Sequence, residues 1–112
     1  MSAYVDLPGI SGRTYRYWFI DPATETIKGE GGNYGFVAVL DDGTVVPAYL
    51  GETNDLSSRL PAHEKRGAAY LLGAIRVVAH TTPAGASARH AEEADLIAFY
   101  NPPLNQQLRT IG

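Results

Sequence analysis

Two apolar runs, YGFVAVL over residues 34–40 and TVVPAYL over residues 44–50, are separated only by Asp41-Asp42-Gly43. An Asp-Gly turn of that length closes an antiparallel hairpin, so the middle of the chain is committed to sheet. Pro47 has no backbone N–H to donate, which places the second run at a sheet edge or a bulge. On either side lie two further runs with strand character, TYRYWFI over 14–20 and AIRVVAH over 74–80. Asp21-Pro22 ends the first, and the glycine-containing stretch DPATETIKGEGGN that follows reads as a loop. Residues 1–13, interrupted by Pro8, Gly9 and Gly12, are expected to be a loosely held start.

Two helices are predicted. Thr53, Asn54 and Asp55 are candidate caps for a helix of about three turns through Lys65, which Gly67 would stop. Ser87 would cap a second helix through Phe99, with Ala91, Ala94, Leu96, Ile97 and Phe99 on its apolar face and Asn101-Pro102-Pro103 ending it. The order strand, hairpin, helix, strand, helix implies an α+β fold. A length of 112 residues with 45% apolar side chains fits one domain and excludes disorder. The absence of cysteine excludes disulfide scaffolds and thiolate chemistry. The start has no secretory pattern, and the longest apolar stretch, Ala68 to Ile75, falls far short of the roughly 20 residues that span a bilayer. A soluble cytoplasmic protein with no membrane partner is the expectation.

A formal charge of −3 argues against binding nucleic acid by bulk charge. The charge is unevenly spread, however. Residues 1–42 hold three basic and six acidic side chains, whereas between 59 and 89 five basic residues, Arg59, Lys65, Arg66, Arg76 and Arg89, face only Glu64. Within this net-positive segment, Arg59 and His63 stand one helical turn apart, just after a strand that carries Tyr49-Leu50-Gly51. A guanidinium, an imidazole and a phenol at one strand-to-helix corner suit phosphoryl chemistry, by charge stabilisation and proton handling. On the second helix, Glu92, Glu93 and Asp95 offer carboxylates for a hard divalent cation, although Arg89, at i−4 from Glu93, could form a plain surface pair with it. The glycines of GEGGNYG lack a P-loop lysine and read as turn residues.

Taken together, Tyr49-Leu50-Gly51, TNDLSSRLPAH, and Glu93 followed twelve residues later by Asn105 resemble the motifs of the GIY-YIG nuclease superfamily. That family includes homing endonucleases, some restriction enzymes and the incision subunit of bacterial excision repair. The resemblance implies a small three-stranded antiparallel sheet flanked by helices, with the Thr14–Ile20 strand as an N-terminal addition. It divides the chain into an extension over 1–33, a nuclease-like domain over 34–105 and a tail over 106–112. In the first name motif, direct alignment puts Phe36 at the expected tyrosine. A shift of two residues puts Tyr34 there on the same strand face, and a bulge near Val46-Pro47-Ala48 would accommodate the shift.

By this resemblance the chain is a metal-dependent endonuclease that hydrolyses DNA phosphodiesters by attack of water. Tyr34 or Tyr49 would position or activate the water, with His63 as proton partner and Arg59 stabilising the transition state. Glu93 would hold one Mg²⁺ or Mn²⁺. Lys65 and Arg66 are candidate substrate contacts, as is Asn105, chiefly through ordering the loop after the second helix. Phe36 and the acidic Glu52 depart from the family pattern and favour an alternative, a degenerate module that binds nucleic acid or protein without cutting. DNA would be held weakly by the isolated domain, with specificity supplied by a partner protein or a homodimer.

Overall fold

The Asp41-Asp42-Gly43 turn forms as its residues require: Leu40 N–H donates to Thr44 O at 2.8 Å, Thr44 N–H to the Asp42 carboxylate at 2.9 Å, and Gly43 takes φ +88°. It joins β3 (Gly32–Val39) to β4 (Val45–Thr53) in the computed structural model, which describes residues 3–106. Of the expected tail, 107–112 lie outside the described residues. Pairing runs Tyr34 with Gly51 and Phe36 with Tyr49, then skips to Val37 with Pro47. Ala48 is therefore the extra residue of a bulge, and the shift it introduces lets Pro47 sit in an edge strand without breaking the ladder.

The sheet is larger than expected. Its order is β1-β2-β5-β3-β4, all antiparallel, with β1 at Tyr4–Pro8, β2 at Thr14–Ile20 and β5 at Arg76–Thr81. Five strands stand where three and an added Thr14–Ile20 strand were expected; the added strand is an interior member of the same sheet, and β1 is the unexpected one. Residues 3–13 are not the loosely held start expected; residues 1 and 2 lie outside the described residues. Gly9, Ser11 and Gly12 make the turn of a second hairpin, with Gly12 at φ +92°, so the residues that interrupt periodicity are the turn itself. Pro8 is tolerated because β1 is the other sheet edge.

The first predicted helix is also corrected. Asp55 is its cap, accepting from Ser57 N–H at 3.0 Å, but α1 covers only Leu56–Arg59. Pro61 follows in a 3₁₀ turn at Leu60–Ala62, and His63 is extended. A proline there withholds the N–H that would continue the helix. Helix α2 then spans Arg66–Leu71, so Gly67 lies inside a helix rather than ending one. Helix α3 spans Ala86–Tyr100, begins at Gly85 with no side-chain cap from Ser87, and ends at Asn101 in the left-handed conformation before the two prolines.

Side chains alternate across the sheet into two cores. One face packs Tyr34, Phe36, Val77 and Ala79 with Leu56, Leu60 and Ala69 of the α1–α2 side. The other packs Leu7, Tyr17, Val37, Leu50 and Val78 with Leu96 of α3. Gly32 sits where the sheet is tightest: a Cβ there would lie 2.2 Å from the His80 carbonyl oxygen. Because that oxygen belongs to a central strand, Gly32→Ala should destabilise the fold by about 1–3 kcal/mol or more. Gly67→Ala, which faces open space on a helix, should be neutral or stabilising. Urea unfolding checks both, and a Gly32→Ala midpoint equal to wild type would refute the β3–β5 register.

Candidate active site

The bulge-adjusted register puts three aromatic rings together on the sheet face that α1 and α2 pack against. Tyr34 and Phe36 come from β3 and Tyr49 from β4, with His63 packed edge-on against all three. Gly51 makes the space: a Cβ at that position would lie 2.6 Å from the Tyr34 hydroxyl and 3.0 Å from Tyr49 Cε2. The glycine of the Tyr-Leu-Gly motif is thus required by side-chain packing, not by a turn. His63 is buried although it lies beyond the helix that was expected to carry it, because the extended residue after Pro61 turns the ring inward.

Hydrogen bonds give this cluster a direction. Lys65 N–H donates to His63 Nδ1 at 3.0 Å, so the neutral ring carries its proton on Nε2. That Nε2–H points at the Tyr34 hydroxyl oxygen, 2.6 Å away. Burial first, then the Arg59 charge, lowers the His63 pKa to about 4, which keeps the ring neutral at ordinary pH. The Tyr34 and Tyr49 rings lie side by side, their centroids 6.2 Å apart, and the interaction between the two hydroxyls favours ionisation of Tyr49 over that of Tyr34. Burial raises both phenols, and Arg59 opposes the rise in each. Tyr34 is fully buried, whereas Tyr49 is only partly so. The observed hydrogen-bond line therefore runs from Lys65 N–H through His63 to the buried Tyr34 hydroxyl, with the half-buried Tyr49 ring beside it.

Glu93 approaches from the other side of β4. As an edge strand, β4 has outward N–H groups without a strand partner. The Glu52 N–H is taken by the Glu93 carboxylate. The Leu50 N–H is taken by Asn105 Oδ1 at 2.9 Å, and Asn105 Nδ2–H returns to Leu50 O at 2.8 Å. Asn105 thus acts as a substitute strand partner that pins the 3₁₀ turn Pro103–Asn105 to the sheet. Burial and the nearby Glu52 charge raise the Glu93 pKa, and its negative charge in turn raises that of Tyr49. Glu93 has no salt bridge among the described residues; Arg89 pairs instead with Glu52, at 3.0 Å. A half-buried carboxylate with one N–H donor and no cationic partner is chemically suited to a divalent cation. Among the described residues no group of three ligating side chains exists, so water and substrate would complete its shell.

The remaining predicted residues fall at different distances from this centre. Arg59 acts electrostatically on Tyr34, Tyr49 and His63 while its Nη2 bridges Glu64 at 2.6 Å. Lys65 supplies the backbone donor to His63. Arg66 lies against the Phe36 side of the cluster, its guanidinium over that ring at 5.4 Å and donating to Ile75 O at 3.2 Å. What the sequence reading did not assign is the role of Glu92, which it grouped with Glu93 and Asp95 as a carboxylate for a cation. It is buried and accepts from the Tyr17 hydroxyl at 2.6 Å and from His80 Nε2 at 2.5 Å. The signal was its position one turn before Leu96, which puts the two on one helix face. Together with Asp95, held by Ser11 and by Tyr15 at 2.7 Å, it fixes the rotation of α3 so that Glu93 meets the β4 edge.

No protein-family model matches the chain, and neither the curated proteins nor the solved structures yield a match to it.

Because His63 has a folded pKa of about 4 against an ordinary 6.5, the unfolded chain binds more protons between those values. The stability contributed by the neutral ring is therefore complete above pH 6.5 and declines as pH falls toward 4, by up to about 3 kcal/mol. His63→Gln should flatten that part of the pH–stability curve relative to wild type. Parallel curves for the two proteins in urea unfolding would show that the ring is not buried in neutral form.

Proposed function

We propose that this chain is a GIY-YIG-type endonuclease that hydrolyses DNA phosphodiester bonds with one divalent cation held at Glu93. The supporting observation is the convergence on Tyr49 of four influences: the Tyr34 donor backed by His63, the Arg59 charge, the Glu93 carboxylate and access to solvent. In the reactive form Tyr49 is ionised, and its oxygen takes a proton from the attacking water. The water oxygen bonds to phosphorus as the bond to the 3′ oxygen breaks. Tyr34 and Arg59 stabilise the phenolate, which is the role that burial alone would oppose. Arg59 is also placed to offset charge on the pentavalent phosphate. A bound Mg²⁺ or Mn²⁺ would stabilise the leaving oxygen and cancel the negative field of Glu93.

A second reading, binding without cleavage, is favoured by one observation: Arg59 is already bridged to Glu64, and that bridge must loosen before the guanidinium can meet a phosphate. Plasmid nicking with Mg²⁺ or Mn²⁺ separates the two. Wild type should nick, Arg59→Ala and Glu93→Gln should fall by roughly 10²–10³-fold, and Tyr49→Phe by roughly 10²–10⁴-fold. Equal nicking by wild type and these variants, or none by any, would refute the proposal.

Tyr34 has a separable role as a positioning residue. Tyr34→Phe keeps the ring in its pocket but removes the donor to Tyr49, so cleavage should persist with its rise in rate displaced to higher pH. An unchanged pH–rate profile would show that Tyr34 does not act through Tyr49.

A further inference from the structure

Helices α1 and α2 cover only part of the sheet face that carries Tyr34. Across that face the register aligns Trp18 of β2, Ala79 of β5, Tyr34 of β3 and Gly51 of β4 in one row. Trp18 lies two strand spacings from Tyr34, roughly 10 Å. The β1–β2 end of the row is left open, and it is aromatic. Trp18 is 40% and Tyr4 49% exposed, their rings meet edge to face at 5.3 Å, and the Arg16 guanidinium lies 3.9 Å from the Tyr4 centroid. Beside them, under residues 25–28 of the glycine-containing loop, is a cavity of about 420 Å³ with an apolar floor that includes Ile20, Ile27 and Leu56. That volume is within the usual range for a small planar ligand.

Charge at the rim selects among ligands. Arg16 is neutralised by Asp6 at 3.0 Å, and the Glu25 carboxylate accepts the Asp21 N–H at 2.8 Å. Lys28 is exposed and belongs to no salt bridge among the described residues. A tryptophan face, an apolar slot and a cation at its lip complement a base with its attached phosphate. We propose that this groove binds an unpaired nucleotide of a single DNA strand, with the base on Trp18 and the phosphate near Lys28, as an extension of the catalytic face. The inference rests on the nuclease reading for the identity of the polymer, while the binding itself needs neither the cation nor cleavage.

Trp18 is the one tryptophan in the chain, so its fluorescence reports this groove alone. The probe is an oligothymidylate of about eight nucleotides, within the span of small single-strand sites, titrated in EDTA. Saturable quenching is expected, weakening as salt rises. By anisotropy of the labelled strand, Trp18→Ala should bind roughly 5- to 100-fold more weakly, Trp18→Phe should recover most of the loss, and Lys28→Glu should weaken binding without touching the packed sheet. Absence of quenching, or strand affinity unaltered by both Trp18→Ala and Lys28→Glu, would overturn the inference. Thymidine monophosphate binding as tightly as the oligomer would also overturn it, by making the groove a free-nucleotide site. Quenching without nicking would leave this groove standing and remove the nuclease reading; nicking without quenching would do the reverse.

Discussion

The hydrogen bond between His63 and Tyr34 is the contact on which the rest of the site depends. It joins the extended residue after Pro61 to the central strand β3, and so ties the α1–α2 side to the sheet at a buried point. Neither group could be buried alone without an unmet polar atom, worth about 1–3 kcal/mol. The pair is possible only because position 51 is glycine, whose missing side chain leaves the tyrosine hydroxyl its room. Packing, register and proton order are thus one constraint. With Lys65 N–H fixing the tautomer, His63 donates to Tyr34, and the proposed chemistry builds on the Tyr49 phenol packed beside that pair.

A second constraint is the open edge of β4. Edge strands invite unwanted pairing, and this one is occupied by the Asn105 amide and the Glu93 carboxylate. The same contacts that protect the edge hold the Glu93 carboxylate where its charge acts on the Tyr49 phenol. Helix α3 reaches this position because Glu92 and Asp95 hold it to β2, β5 and the first hairpin turn. Three acids that look interchangeable in sequence therefore divide into two that fasten the helix and one, Glu93, that forms no salt bridge among the described residues.

Much of this was legible before the structure. The Asp-Gly turn, the bulge that Pro47 needs, the strand at Thr14–Ile20 and the end of α3 at Asn101 are local chemistry, and local chemistry is readable. Tyr49, Arg59, His63 and Glu93 were singled out from the sequence, and the fold brings them within electrostatic or packing reach of Tyr49, though His63 arrives by a different route, since Pro61 ends the helix that was to present it. What could not be read was tertiary. The β1 strand was hidden because Pro8, Gly9 and Gly12 signal equally a disordered start and a tight hairpin. The fastening role of Glu92 was hidden because a charged residue is buried only when partners exist, and Tyr17 and His80 are 75 and 12 positions away. Likewise Glu52, which looked hostile to a phosphate, is paired with Arg89 through the fold.

The net charge of −3 takes its place in the same picture. Acidic side chains are fastened by partners at Asp6, Glu64, Asp95 and Glu52, so the total says little about the field at Tyr49. What matters there is the direction of the donors. Nitrogen-15 NMR of His63 near pH 7 tests it most directly. The account predicts a neutral ring with its proton on Nε2 and an unprotonated Nδ1, persisting as pH falls well below 6.5. A ring protonated on Nδ1, or an imidazolium already formed at pH 6.5, would contradict it.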